Sequence, residues 1–546
     1  MTPHKRSRQR CKSSSRSVCW KPLKALLKAK SLLVSSLKVK CALVSVSDKG
    51  GIAEFCGELS KNGVKIISSG GTYKLLSENK IPCVSVESVT GFPEMLEGRL
   101  KTLHPKLHGG ILAKRNKEHL GQLKGQGIEP IDLVVVNLYP FRETVTKKGA
   151  TLEDAIENID IGGPALIRAA AKNHESVGIV VDPSQYGKVL KDLIANKFGL
   201  SQGMKKELCA QAFAHTAFYD SLVAQYLNSK YLQEKFPQKL TIALERMREL
   251  RYGENPHQKA VLYAKPLESG NLIDCGQLNG KELSYNNYMD CDAAISIAKD
   301  FEEPCAAIIK HANPCGVASA KTISEAFKKA YECDPLSAFG GIIALNRACD
   351  IATAKQITAF FNEVVIAPQY DAPALDELRT KKNLRVLLLE NFPKETAGVI
   401  MRPIEGGALC QDKDLGGEEK WQNVSGTDAT KAEMEDLRFA WKVVRHVKSN
   451  AIVIAKGNAT IGIGGGVTSR VDATELAIRK AGERAKAGVL ASDAYFPFKD
   501  SIELAAKAGI RCIAEPGGSV NDAQVIEEAK KHKIALYFTG TRHFRH

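Results

Sequence analysis

CALVSVSDKGGIAEFCGELSKNGVKIISSGGT, residues 41–72, reads as strand, helix, strand and the start of a second helix. CALVSVS (41–47) is a short apolar run, GIAEFCGELSKNG (51–63) has helical spacing and a glycine stop, and VKIISS (64–69) is a second short apolar run. Each run ends on a small polar turn that opens a helix: Ser45-Val46-Ser47-Asp48-Lys49-Gly50 and Ser68-Ser69-Gly70-Gly71-Thr72. Farther along, IPCVSV (81–86), IDLVVVNLY (131–139) and SVGIVV (176–181) supply three more strands, and Thr151 to His174 reads as helical pieces broken by Gly162-Gly163-Pro164. Strands alternating with helices predict a parallel α/β sheet with ligands at the carboxyl ends of its strands. A helical region (201–235) follows. The charged, proline-marked stretch near 236–250 then sets a domain boundary, giving domains 41–240 and 241–546.

The charge balance narrows the function classes. The chain of 546 residues has a formal net charge of +16, which alone suggests a nucleic-acid binder. Residues 1–40, however, hold twelve Lys and Arg and no acid, and the rest of the chain has 65 basic against 61 acidic residues. The basicity belongs to a tail, so neither a nucleic-acid nor a membrane partner is expected. The tail is Arg-, Lys- and Ser-rich, and its composition is that of a chloroplast or mitochondrial transit peptide, with an untargeted cytosolic extension as the alternative. No apolar run reaches the roughly 18 residues that span a membrane.

The 14 cysteines fall singly, mostly in apolar runs, as expected of buried reduced thiols. His311 with Pro314-Cys315 is reminiscent of a zinc deaminase, which needs His-x-Glu and Pro-Cys-x-x-Cys. Asn313 stands at the Glu position and Ala318 at the second Cys, so no metal is expected.

Where a strand gives way to a helix, backbone N–H groups with hydroxyls and a lysine suit a phosphate, although such turns are also ordinary punctuation. GFPEMLEGRLKTLHPKLHGGILA (91–113) is more telling. It gathers Arg99, Lys101, Thr102, His104 and His108 with little apolar periodicity, which neither a core nor a solvated face requires. Lys310-His311 likewise follows a predicted buried strand, CAAIIK, and precedes an Asn-Pro-Cys-Gly turn, which puts two titratable groups at a strand's carboxyl end.

GRLKTLHPKLHGGILA (98–113), NLYPF (137–141), IDIGGPALIRAAAKNH (159–174), LRYGENPHQ (250–258), KHANPCG (310–316), DPLSAFGG (334–341) and ASDAYFPFKD (491–500) occur in this order. Together they resemble the bifunctional AICAR transformylase / IMP cyclohydrolase family, over roughly residues 41–546, in a plant or algal type with an N-terminal extension. The resemblance implies a methylglyoxal-synthase-like parallel-sheet domain followed by two tandem cytidine-deaminase-like α/β/α subdomains without zinc, split near residue 395. It also implies a homodimer, with AICAR, its formylated product FAICAR and the cosubstrate 10-formyltetrahydrofolate as ligands. The activities implied are formyl transfer to AICAR, then dehydrative closure of FAICAR to IMP.

The same resemblance assigns residues. Ser47, Asp48, Lys49, Ser69, Gly70, Gly71, Thr72, Arg99, Lys101 and Thr102 would hold phosphate and ribose in the first domain. Asn137, Tyr139, Asp160 and Ile161 match base-facing and catalytic positions. Lys172 matches a proton-transfer lysine, and its place between Ala169-Ala170-Ala171 and Asn173 suggests partial desolvation. In the second domain His311 would be the general base and Lys310 the cation that stabilises the oxyanion and tunes it. The nucleotide would meet Arg251, Tyr252, Gly340, Asp350, Asn450, Tyr495, Asp500 and Arg542, and the folate Arg470, Val471, Ser519 and Val520. One departure stands out. The family's Gly-x-Gly-Ala-Gly-Gln-x-x-Arg runs here from Gly462 to Arg470 with Val467 at the Gln, which would weaken folate binding if that amide touches it.

Overall fold

The computed structural model describes residues 38–392, 397–417 and 419–546. The basic extension, apart from its last three residues, and the expected split near 395 lie outside them. The chain divides into two compact units, one running to Leu232 and taking in Thr241–Ala243, the other comprising Gln233–Leu240 and Leu244–His546.

In the first unit β1 (Cys41–Val44), β2 (Lys65–Ser68), β3 (Val84–Ser85), β4 (Leu133–Val135) and β5 (Gly178–Val180) form a parallel sheet in the order β3-β2-β1-β4-β5. β1, β4 and β5 are buried along their whole lengths, because helices cover both faces; this is why they read as unbroken apolar runs rather than alternating ones. The helix Ile52–Lys61 turns Ile52, Phe55, Cys56 and Leu59 inward, the spacing of a single helical face. Strand order reverses between β1 and β4, so the connections leave a crevice at their carboxyl ends.

Two local readings change. IDLVVVNLY stops pairing at Val135, and Asn137 leaves the ladder. Gly162-Gly163-Pro164 do not break a helix. They form the first turn of the helix Gly162–Lys172, and the break falls before them.

The second unit is a duplication. β8 (Gly276–Asn279), β9 (Cys305–Lys310), β10 (Asn313–Ser319), β11 (Ile342–Leu345), β12 (Val364–Ala367) and β13 (Arg385–Leu388) form a mixed sheet ordered β10-β9-β11-β12-β13-β8. β16 (Gln422–Asn423), β17 (Ile452–Ala455), β18 (Thr460–Gly464), β19 (Val489–Ser492), β20 (Cys512–Glu515) and β21 (Ala535–Phe538) repeat that order as β18-β17-β19-β20-β21-β16, with the same parallel and antiparallel neighbours. Two hairpins complete the strands among the described residues: β6 (Glu245–Leu250) with β7 (Ala260–Ala264), and β14 (Val399–Ile404) with β15 (Gly407–Asp412).

The helices Tyr285–Ala298 and Lys431–Val444 lie in one apolar core with strands of both sheets, Ile297 and Trp441 joining Ile309, Val364, Val453 and Ala514. Each sheet packs its other face on its own helices in a separate core. The edge strands β10 and β18 also meet. Thr460 Oγ1 accepts the Val317 N–H (2.9 Å) and donates to the Val317 carbonyl (3.1 Å), and the Ser319 N–H donates to Asn458 O (2.9 Å).

Glycine permits a close approach on those edges. A Cβ at Gly316 of β10 would lie 1.9 Å from the Ala330 carbonyl oxygen, and one at Gly464 of β18 would lie 2.0 Å from that of Ala473. Gly316→Ala and Gly464→Ala are each expected to destabilise the protein by about 1–3 kcal/mol, the usual cost of overpacking a well-filled contact. Urea titration of the two variants checks this, and an unchanged midpoint in either would contradict it.

Candidate functional site

A cavity of about 520 Å³ opens where β1, β2 and β4 end in the first unit. It is lined by Ser47, Lys49, Ser69, Gly71, Thr72, Arg99, Lys101, Thr102, Asn137, Tyr139, Asp160 and Ile161, all expected from the sequence. Buried polar side chains set the shape of its floor. Thr72 Oγ1 donates to Val46 O (3.0 Å) and accepts from Val46 N (3.1 Å), and the hydroxyls of Ser45 and Ser69 lie 2.9 Å apart. These bonds tie the two strand-to-helix turns together.

Asn137 braces the first turn. Its Oδ1 accepts the N–H groups of Ser47 (2.6 Å) and Asp48 (3.0 Å), and its Nδ2 donates to Asp48 O (2.9 Å). Asn137 thus lines the cavity while its amide is engaged by backbone. Asp48 is not among the lining residues; its carboxylate accepts the Gly50 N–H at 2.8 Å.

One wall is the N-terminus of the helix Gly70–Glu78, whose first N–H groups have no helical acceptor. Two ammonium groups hang over it. A Cβ on Gly71 would sit 3.7 Å from Lys49 Nζ, and one on Gly70 would sit 3.7 Å from Lys101 Nζ. Helix N-terminus, serine hydroxyls and paired ammoniums make a cradle for a phosphate dianion.

The opposite wall is the N-terminus of the helix Gly162–Lys172. Asp160 accepts the Gly163 N–H there at 2.7 Å. Burial pushes its carboxyl above the usual carboxylate range, an effect opposed by the N–H groups of Gly163 and Tyr139 and by the Lys101 ammonium. The glycines are required by this packing, since a Cβ at Gly162 would meet Thr102 Oγ1 at 2.7 Å and one at Gly163 would meet Asp160 Oδ2 at 2.6 Å.

The lining also includes Glu97 and Glu157, which the sequence reading missed, and Glu157 pairs with Arg99. Gly98 was the available signal, because it closes a left-handed run of Leu96, Glu97 and Gly98 (φ 55°, 56° and 91°) that carries Glu97 to the rim.

His104 caps the helix Pro105–Leu112 by accepting the Lys106 N–H (3.1 Å), so it serves the fold. Lys172 lies at the far end of the wall helix Gly162–Lys172. It is the last residue of an eleven-residue helix whose first turn forms the cavity wall, which puts it roughly 15 Å along the axis at 1.5 Å per residue. Ala169, Ala170 and Ala171 turn into the core while Lys172 faces solvent, so the expected desolvation is absent.

In the second unit a cavity of about 460 Å³ brings together Asn450, Arg470, Val471, Tyr495 and Asp500, with Phe544 at its edge. Arg542 stacks its guanidinium on Phe544 at 4.3 Å. Arg470 lines this cavity with its donors engaged. It is buried and donates to Asp493, to Ser492 Oγ (3.1 Å), to Ala451 O (3.2 Å) and to Asn450 Oδ1 (2.8 Å), so it orients Asn450. The Val467 side chain packs against the core, and its carbonyl accepts the backbone and side-chain N–H of Asn450, each at 3.1 Å.

The remaining expected residues lie outside this cavity. Asp350 caps a helix, its carboxylate accepting the Thr353 N–H at 2.7 Å. Ser519 donates its N–H to Asp522 (2.9 Å), while Val520 is 99% exposed. Arg251 lies over the Tyr252 ring at 5.0 Å.

Lys310 ends β9, and His311 follows it in the turn to β10. Lys310 Nζ donates to Phe339 O (2.8 Å), next to Gly340 with its φ of 74°. His311 and Ala312 both have left-handed backbones (φ 55° and 58°), a conformation costing roughly 1–2 kcal/mol per residue outside glycine. Asn313 Oδ1 accepts the Lys448 N–H (3.1 Å), which joins this turn to the segment bearing Asn450. Burial pushes the Cys315 thiol up to about 12.

A phosphate cradle at the switch point of a parallel sheet, followed by a duplicated α/β unit with a histidine on a strained turn, defines a two-part enzyme acting on phosphorylated small molecules. Residues 170–480 match the family model described as AICARFT/IMPCHase bienzyme, and residues 51–165 match the MGS-like domain. The bifunctional purine biosynthesis protein PurH of Thermoanaerobacter sp. (strain X514) is 53% identical over 512 residues, covering 93% of this chain and 100% of its own. The protein of that name in Bacillus subtilis (strain 168) is 51% identical over 514 residues, with the same coverage. The chain belongs to the AICARFT/IMPCHase bienzyme family, the enzymes of the final two steps of purine biosynthesis.

Beside the second cavity, Glu515 is fully buried, and its Oε2 accepts the Phe496 N–H at 2.6 Å. Burial pushes its carboxyl up to about 8 from the ordinary 4.5, with Asp522 adding to the rise and the Phe496 N–H and Arg470 opposing it. The folded value is the higher one, so the stability tied to this proton is complete below pH 4.5 and is lost as pH rises toward 8. Glu515→Gln is expected to flatten the fall in unfolding free energy between pH 5 and 8 by a few kcal/mol. Denaturant titrations at both pH values test this, and parallel profiles for variant and parent would contradict it.

Proposed function

We propose that residues 41–240 close FAICAR to IMP and that residues 241–546 transfer the formyl group of 10-formyltetrahydrofolate to AICAR. What carries the first assignment is the placement of Lys49 and Lys101 over one helix N-terminus with Asp160 opposite, in a single cavity of about 520 Å³. The nucleotide phosphate takes the helix N–H groups, the serine hydroxyls and Lys49. Lys101 polarises the formyl oxygen, and Asp160, its carboxyl raised by burial, relays the proton as the carboxamide nitrogen attacks the formyl carbon and water leaves. Holding both reacting groups of one substrate in this cavity supplies much of the acceleration.

For formyl transfer, His311 accepts a proton from the AICAR amine as its nitrogen bonds to the formyl carbon. The Lys310 ammonium stabilises the tetrahedral oxyanion, and folate N10 leaves with a proton, giving FAICAR and tetrahydrofolate. Arg542 and Arg251 suit the nucleotide phosphate and Tyr495 its ring; Val471 and Ser519 are read as folate contacts.

A homodimer is supported by the β14–β15 hairpin. Ile400, Met401, Ile404 and Leu409 are exposed on it, and a two-stranded hairpin with both faces bare is marginal in water. Residues 1–40 are read as an address for an organelle, not as machinery. Among the described residues no helix is long and apolar enough to cross a membrane.

The test mixes the full chain, and the chain lacking residues 1–40, with AICAR and 10-formyltetrahydrofolate in EDTA, following tetrahydrofolate and IMP separately. Both products are expected from both proteins. His311→Ala should slow tetrahydrofolate release by at least about 100-fold and leave closure of supplied FAICAR intact, and Lys101→Ala should do the reverse. Loss of both activities in either folded variant would sink the two-site assignment.

A further inference from the structure

β9 and β10 are joined by a two-residue turn, His311-Ala312, between the paired residues Lys310 and Asn313. Both turn residues are left-handed, which is the hairpin conformation that sequences ordinarily supply with Asn-Gly or Asp-Gly. Histidine and alanine do not favour it, so something outside the turn must hold it.

That role falls to Asp290. It lies on the helix Tyr285–Ala298 and is 7% exposed, and its carboxylate accepts both turn N–H groups: His311 N to Oδ2 at 3.3 Å and Ala312 N to Oδ1 at 2.6 Å.

The second copy of the fold contains the same device. The β17–β18 turn carries Gly457 and Asn458 with φ of 62° and 53°, and Lys456 N donates to Ala459 O across it at 2.9 Å. Asp436, on the matching helix Lys431–Val444, accepts Gly457 N at 2.8 Å and Asn458 N at 2.6 Å. One clamp thus serves two turns. Gly457-Asn458 suits a left-handed turn unaided, whereas His311-Ala312 does not.

We infer that Asp290 is a positioning residue for formyl transfer, its carboxylate holding the His311-Ala312 turn left-handed and so fixing where the His311 imidazole points. This rests on the reading of His311 as the general base. The backbone of residue 311 sets where its Cα–Cβ bond points, so releasing the clamp lets the base swing away without removing any substrate contact.

The experiment is steady-state formyl transfer by the full chain carrying Asp290→Ala, Asp290→Ala with Ala312→Gly, Asp436→Ala or His311→Ala. Closure of supplied FAICAR and the thermal midpoint are followed in each. Asp290→Ala should lower kcat on the order of 100-fold with little change in KM for AICAR, the usual penalty for a misplaced catalytic group. Adding Ala312→Gly should recover much of that loss, because glycine takes positive φ without a clamp. Asp436→Ala should lower the midpoint and leave kcat unchanged.

The inference is overturned if Asp290→Ala keeps the parental kcat while His311→Ala abolishes transfer. It is also overturned if Asp290→Ala and Asp436→Ala depress kcat alike, or if glycine at 312 recovers nothing. Should Asp290→Ala fail to fold, Asp290→Asn, which keeps one acceptor, decides: an intermediate kcat supports the inference and a parental one overturns it. If His311→Ala itself retains formyl transfer, the reading of the base fails instead, and the clamp has no catalytic role.

Discussion

A chain that leaves a sheet must find new acceptors for the N–H groups it withdraws from the ladder, and a side chain of a neighbouring element can supply them. This requirement organises the strand ends of both units. Asn137 meets it for Ser47 and Asp48, Asp290 for His311 and Ala312, and Asp436 for Gly457 and Asn458. Asp493 meets it for Ala451, and Glu515 for Phe496. Each acceptor comes from a neighbouring element, so each loop is fixed to the scaffold rather than to itself. Lys49, His311, Asn450 and Tyr495 sit on or beside those loops, and their geometry is inherited from acceptors that need touch no ligand.

The same accounting explains how charge is used. Where an anion is to be held, donors are left unspent, as at the first turn of Gly70–Glu78 beneath Lys49 and Lys101. Where the backbone needs acceptors, a carboxylate or amide is consumed. Arg470 shows that a cation can be consumed as well, since its donors are taken by Asp493, Ser492, Ala451 and Asn450, and its positive charge ends as internal scaffolding. A charged residue in a motif therefore identifies the site without identifying the role.

Much of the architecture was legible in residues 41–181, because buried parallel strands leave unbroken apolar runs and the intervening helices leave a 3.6-residue period. All five strands of the first unit fall within the runs read as strands, shortened where residues turn toward the cavity. The duplication in the second unit was not legible as a sequence repeat. What the two copies share is strand order and clamp position, and neither leaves a periodic trace. At the cavity of the first unit, motif strings found most of the lining, but they could not separate braces from contacts. Asn137 and Asp350 are polar groups spent on backbone, a state decided by partners distant in sequence or hidden in a helix start. Lys172, expected to be partly desolvated, is exposed for a related reason. Apolar neighbours along the chain say nothing of burial on a helix, where adjacent residues point about 100° apart.

The two helices shared between the sheets of the second unit carry a consequence for how that unit comes apart. Ile297 and Trp441 belong to one core with strands of both copies, so neither copy has a complete apolar interior of its own. Separating them would bare a face of each sheet to water at the same moment. The deeply buried amides of β9 and β17 should therefore exchange with deuterium through one common opening, despite lying in different copies of the fold. The two copies of the fold are thus expected to open as one cooperative body rather than as two independent modules.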